Sequence, residues 1–115
     1  KPFMYDPIRS KVWKKQAQPF INQAFAGRDP FSGAVGVEVQ FFFKYPKSWS
    51  KAKKARTLYP TNKNLGDLDR LLNLLYDALT GVAYHDDSQV VRGSQGKFYS
   101  TEERAEVTVY PLEGS

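Results

Sequence analysis

From Ala34 to Lys44 the chain alternates with a period of two: Val35, Val37, Val39, Phe41 and Phe43 fall on one side, and Gly36, Glu38, Gln40 and Phe42 on the other. That period predicts a half-buried strand, and it is the clearest strand in the chain. Further on the period lengthens. At roughly 100° per residue, Leu68, Leu71, Leu72, Leu74, Leu75, Ala78 and Leu79 fill one apolar arc. Asp69, Arg70, Asn73 and Asp77 fall on the other side. The spacing predicts a helix from about Leu68 to Thr80, with Gly81 as its C-terminal cap. The leucine face anchors this helix and the polar face is free to present chemistry.

Weaker patterns fill the remainder. Ile8, Val12, Trp13, Ala17, Phe20, Ile21, Ala24 and Phe25 recur near helical spacing, which predicts a first helix over residues 6–26. Asp6-Pro7 or Ser10 is placed to start it and Gly27 to end it. Pro19 lies beyond the first turn, so it should kink the helix or mark a later start. Residues 28–33 read as a loop. Ser48 is placed to cap a short helical turn through Lys54. Residues 88–99 read as a strand weakened by Gly93 and Gly96, residues 100–103 as a turn, and residues 105–111 as a last strand with Val107 and Val109 on one face. The sum is a single α+β domain over residues 1–115, a small mixed β-sheet with two main helices.

Charge sharpens this picture. The chain carries a formal net charge of +5 with a pI near 9.5, which suggests a polyanionic partner. From Lys44 to Lys63 there are seven basic residues (Lys44, Lys47, Lys51, Lys53, Lys54, Arg56 and Lys63) and no acidic one. Tyr45, Trp49 and Tyr59 are interleaved with them, so a solvated lysine loop competes with a nucleic-acid-binding segment whose aromatics stack on bases. There is no cysteine, which excludes disulfides and thiolate-bound zinc. No apolar run approaches membrane-spanning length and the start does not read as a signal peptide, so cytoplasm is the default. The chain opens at Lys1 without an initiator Met, so residues upstream are expected to have been removed or left out of the numbering.

Against this basic background, acids crowd at two places. Asp67 and Asp69 flank the predicted start of the leucine-rich helix, and Asp86 and Asp87 follow shortly after its end. Such crowding is costly without a positive partner. Mg²⁺ is the simplest candidate, because it selects carboxylate oxygens and keeps open water positions. Taken alone, Asp-x-Asp is a weak signal, since an Asp at a helix start is usually a cap and an Asp pair in a turn is usually solvated. The positive end of the helix dipole favours negative charge there. Asp87 closes the same site if the loop after the helix folds back along it. His85, the single histidine, has the chemistry of a general base. Trp13 and the leucine face read as core or subunit interface, and Tyr76 as packing.

These motifs, in this order, resemble the RusA-like Holliday-junction resolvases. The resemblance is carried by Asp67-Leu68-Asp69, by Asp77-Ala78-Leu79-Thr80-Gly81, and by Asp86-Asp87-Ser88-Gln89-Val90. Pro46-Lys47-Ser48-Trp49-Ser50-Lys51 and Lys97-Phe98-Tyr99-Ser100 extend it to nearly the whole chain, in the branch common in phages and prophages. It implies a homodimeric α+β fold that binds four-way DNA junctions and resolves them by paired, Mg²⁺-dependent nicks (Mn²⁺ substituting), in recombination and repair. Asp67, Asp69 and Asp87 match the family's metal-binding carboxylates, Asp86 the adjoining acid, and Asp77 a supporting helix position. The family does not call for a histidine at His85.

Two positions depart from the family pattern. Arg70 stands where the family usually has Asn, and Asn73 where it usually has a catalytic Lys. The family's opening strand is short or missing. Residues three apart on a helix are neighbours, so Arg70 is placed to supply the charge taken elsewhere from lysine; alternatively it pairs with Asp67 or Asp69, or the site is impaired. The expected chemistry is metal-assisted attack of water on a phosphodiester, with the basic segment positioning DNA through phosphates. The competing expectations are a junction-binding protein inactivated at Asn73 and a metal-dependent nuclease with another DNA substrate.

Overall fold

A computed structural model describes residues 3–5, 13–61 and 67–114. The alternating segment forms strand β2 (Val35–Lys44), and its odd-numbered residues are all buried. Strand β4 (Arg104–Pro111) lies antiparallel on one side of it and β3 (Val90–Ser100) parallel on the other. A short first strand, β1 (Phe3–Tyr5), pairs antiparallel with β4 and completes a four-stranded mixed sheet in the order β1-β4-β2-β3. The opening strand, expected to be short or missing, is thus present in three residues. Gly93 and Gly96 do not interrupt β3, because β2 pairs with it continuously from Gly36 to Lys44.

Helix α1 (Trp13–Ala24) and helix α3 (Leu68–Leu79) pack on one face of this sheet. Ala17 and Ile21 from the first helix, Phe25 just after it, and Leu71, Leu75, Ala78 and Leu79 from the second meet Val35, Val37, Val39, Phe41, Phe43, Ala105, Val107 and Val109 in one core. The Gln18 side chain joins the helices by donating 2.8 Å to the Ala78 carbonyl. The first helix ends at Ala24, two residues short of the predicted end, in a turn that reaches Gly27 at φ 77°. Pro19 lies inside α1 on its exposed side, where its missing N–H faces water and not the core. The predicted starts at Asp6-Pro7 and Ser10 lie outside the described residues.

Helix α2 (Lys51–Arg56) begins later than predicted. Its N-cap is Ser50 and not Ser48, since the Ser50 hydroxyl accepts from the Lys53 backbone N–H at 3.2 Å. Helix α3 matches its pattern closely: Thr80 is its C-cap and Gly81 follows at φ 82°. Among the described residues, no helix is long and apolar enough to cross a membrane.

Candidate nuclease site and nucleic-acid interface

The amino end of α3 presents two acids. Asp67 is the N-cap residue in extended backbone, yet its side chain makes no capping hydrogen bond, which leaves its carboxylate oxygens outward and exposed. Asp69, in the first turn, accepts from the Arg70 backbone N–H at 2.9 Å and is otherwise open to solvent. Arg70 and Asn73 are exposed on the same helix. Among the described residues no ion pair joins Arg70 to Asp67 or Asp69, so its guanidinium is not neutralised by them.

The second acidic element is built differently. After α3, a tight turn brings the Gly81 N–H to the Tyr84 carbonyl at 2.7 Å. Tyr84 is fully buried and donates its phenol to the Tyr76 carbonyl at 3.0 Å. Burial is the main reason that the Tyr84 phenol holds its proton well above the ordinary tyrosine range; a hydrogen bond with Thr80 opposes this, and the charges of Asp87 and Asp77 add to it.

Asp87–Gln89 forms a single 3₁₀ turn capped by Asp86. The Asp86 carboxylate accepts from the backbone N–H of Ser88 at 3.2 Å and from its hydroxyl. These bonds, the hydroxyl's first, hold the Asp86 carboxyl below the usual carboxylate range. The Asp86 carboxylate, a candidate ligand by sequence, caps this turn. Gln89 completes the box. Its Oε1 accepts from the backbone N–H of His85 at 2.8 Å and of Asp86 at 2.9 Å, while its Nε2 donates to the carbonyls of Phe31 at 2.7 Å and Gly33 at 2.8 Å. One carboxamide thus ties the acidic turn to the loop before β2. Sequence reasoning singles out Gln89 only as part of a motif; the signal for its role is Asp-x-x-Gln, the spacing of a capping box.

Asp67 and Asp69 stand at the amino end of α3, and Asp87 lies in the turn that Gln89 ties to the loop before β2. Among the described residues, no three His, Asp or Glu side chains converge as a cage for an ion. Asp67 and Asp69 still suit Mg²⁺ in donor chemistry, because that ion is commonly held by one or two exposed carboxylates, with waters and substrate phosphates completing its shell.

The basic segment divides around the free edge of β3. Tyr45 and Trp49 fold onto the helix-bearing side, where both rings pack on Tyr99, at 5.5 and 5.0 Å between centroids. Lys53 lies 4.5 Å from the Trp49 ring and Lys54 5.8 Å from that of Tyr45, close enough for cation–π attraction. The Leu58 carbonyl then accepts the Tyr99 N–H at 2.9 Å, covering part of the β3 edge. Beyond it Tyr59 emerges on the opposite sheet face against Phe98. Lys44, Lys47, Lys51 and Arg56 are exposed. Lys63 lies outside the described residues.

Two comparisons with known proteins bear on the family. Residues 1–110 match the family described as Endodeoxyribonuclease RusA. The chain is 36% identical over 115 residues to the uncharacterized protein YqaN of Bacillus subtilis (strain 168), an alignment that covers 95% of this chain and 79% of that protein. The chain, acidic helix start, capped acidic turn and basic segment included, belongs to the RusA endodeoxyribonuclease family.

Proposed function

We propose that this protein resolves four-way DNA junctions by paired phosphodiester hydrolysis, as a Mg²⁺-dependent homodimer. The observation that carries the reading is the coincidence of the family match with two exposed carboxylates at the start of α3, Asp67 and Asp69. Asp87 is the third acid of the proposed site, and its approach to the other two on the DNA is part of the proposal. The bound ion, Mg²⁺ or Mn²⁺, supplies positive charge at the scissile phosphate and a more acidic water.

The chain's own residues have the remaining tasks. Asp67 and Asp69 hold the ion. Arg70, unpaired with either acid, reaches the phosphate oxygens with a forked guanidinium and offsets charge developing there. Asn73, one turn on, and Asp77 support through hydrogen bonding. Lys44, Lys47, Lys51, Lys53, Lys54, Arg56 and Lys63 bind phosphates of the DNA arms, with Trp49 packed among them. Such binding positions the DNA without reading its sequence. Two nicks at symmetric strands call for a two-fold dimer.

The test is cleavage of a synthetic four-way junction in Mg²⁺, and then in Ca²⁺, with linear duplex as control. Paired nicks in Mg²⁺ are expected on the junction alone. Asp67→Asn, Asp69→Asn and Asp87→Asn should each abolish cleavage while junction binding stays or tightens. Retained cleavage in all three variants, or a strictly monomeric protein by light scattering at micromolar concentration, overturns the reading.

A further inference from the structure

The sheet face away from the helices carries its own pattern. Even-numbered residues of β2 point to it, and strand register fixes their neighbours. Phe42 stands between Arg104 and Phe98, Gln40 between Glu106 and Gly96, and Glu38 between Thr108 and Ser94. Lys44 extends this face toward the strand end. One end of the face is therefore aromatic and cationic, and the middle is polar and acidic.

The aromatic end is organised. Phe42 and Phe98 stack with centroids 5.6 Å apart, Tyr59 lies 5.8 Å from Phe98, and the Arg104 guanidinium sits 3.9 Å above the Phe42 ring. Gly96 shapes the surface. A Cβ built there would fall 2.8 Å from the Phe98 ring, so the absent side chain lets Phe98 lie back along the sheet. Tyr59 is 60% exposed and Leu58 beside it 52%. The core does not account for this aromatic surface, since the core lies on the other side of the sheet.

We propose that Phe98 and Tyr59, backed by Phe42, form a stacking platform for unpaired nucleobases of a DNA strand. The proposal rests on the reading of the chain as a DNA nuclease, and it assigns a distinct surface that the acidic site does not use. Charge decides the occupant. Lys44 is exposed beside the rings, and the basic helix α2 leads into Tyr59 three residues after Arg56; Arg104, ion-paired with Glu106 at 2.8 Å, backs Phe42 and is already neutralised. A strand whose bases stack on the rings can therefore lay its phosphates along cations. The exposed Glu38 in the middle of the sheet disfavours phosphates there, which favours this end for the strand. Base stacking on exposed aromatics is tolerant of sequence and contributes about 1–3 kcal/mol per base, which suits the unstacked bases at a branch point.

The experiment uses a single-stranded thymidine oligonucleotide carrying 5-iodouracil, photo-crosslinked to the full chain and mapped by peptide mass spectrometry. Crosslinks are expected at Tyr59 and Phe98. Tyr59→Ala should weaken oligonucleotide binding about tenfold, while Tyr59→Phe, which keeps the ring, should bind as the parent does. Crosslinks confined to Trp49 or α2, unchanged binding by Tyr59→Ala, or a face shielded by a second copy of the chain would overturn the platform. Junction nicking is scored separately. Nicking without crosslinks at Tyr59 sinks the platform and leaves the nuclease; crosslinks at Tyr59 without any nicking leave the platform and sink the nuclease.

Discussion

Replacing Gln89 by alanine removes one side chain and four hydrogen bonds. Two of them, to the Phe31 and Gly33 carbonyls, are partly buried; the other two, from the His85 and Asp86 N–H groups, are exposed. A net hydrogen bond contributes about 0.5–1.5 kcal/mol, and exposed partners recover much of theirs from water. The loss should therefore total roughly 2–3 kcal/mol. With an unfolding entropy of about 2.1 cal/mol/K per residue, a chain of 115 residues loses ~4 °C of Tm per kcal/mol. Gln89→Ala should thus melt about 8–12 °C below the parent by circular dichroism. Because Asp87 lies in the turn that Gln89 fixes, kcat on a junction should fall with junction affinity kept.

The isosteric variant separates mechanism from bulk. Gln89→Glu keeps the acceptor but places an anionic oxygen against two carbonyls. Its carboxyl should have a pKa in the folded state above the unfolded value of about 4.3. Protonation restores a donor, so the stability that Gln89→Glu lacks at neutral pH returns as pH falls toward 4. Its Tm deficit should narrow over that range while that of Gln89→Ala does not. A Tm change under about 2 °C for Gln89→Ala, or parallel deficits for both variants at all pH values, would refute this account of the turn.

Arg70→Ala should cut turnover sharply with little change in junction binding, and Asn73→Lys should partly restore it; equal cutting by Arg70→Ala and the parent ends the idea that Arg70 replaces the family's lysine. Junction affinity should fall steeply with salt, and replacing Lys51, Lys53 and Lys54 together by alanine should flatten the log–log slope by about 0.9 for every phosphate that is no longer neutralised. An unchanged slope in filter binding would move the DNA track elsewhere. Burial raises the Tyr84 phenol's pKa from the ordinary value of 10.0, so the folded state keeps this proton while the unfolded chain loses it. The stability this provides is complete below pH 10 and declines as pH climbs through the raised folded-state value. Tyr84→Phe should remove that alkaline component of the Tm profile, and an unaltered profile would contradict it.

Periodicity makes the central strand and α3 legible, because both meet the core along their whole length and burial selects every second residue of one and an arc of the other. Edge elements are less so. Among the described residues strand β3 pairs with one strand, β2, so much of its first half is exposed and writes no alternation. Strand β1 is too short to show a period. The acids stand out by type and spacing, but their grouping is not readable from sequence, because the place of Asp87 is set by the turn that Gln89 ties to the loop before β2. Aromatics in the basic run read as a single set, whereas the β3 edge sends Trp49 and Tyr59 to opposite sides of the sheet. Ser50 displaces Ser48 as the cap because both serines offer the same chemistry and only backbone geometry distinguishes them.

The turn at residues 101–103 has the length of a hairpin loop, yet the strands it joins are not neighbours. Strand β2 lies between β3 and β4, and Arg104 reaches across its Phe42 ring to the Ser100 hydroxyl at 2.8 Å. The carboxy-terminal strands therefore have a local competitor, direct pairing with each other, that is quick to close and topologically wrong. Productive folding has to keep that gap open until a strand from far earlier in the chain fills it, and loop closure over such a separation is slow. The contact of Arg104 with the Phe42 ring exists only once β2 is in place, so it rewards the late arrangement and not the early one. Its removal should show itself in the partitioning of refolding chains between native and mispaired forms, more than in the melting point of the finished protein.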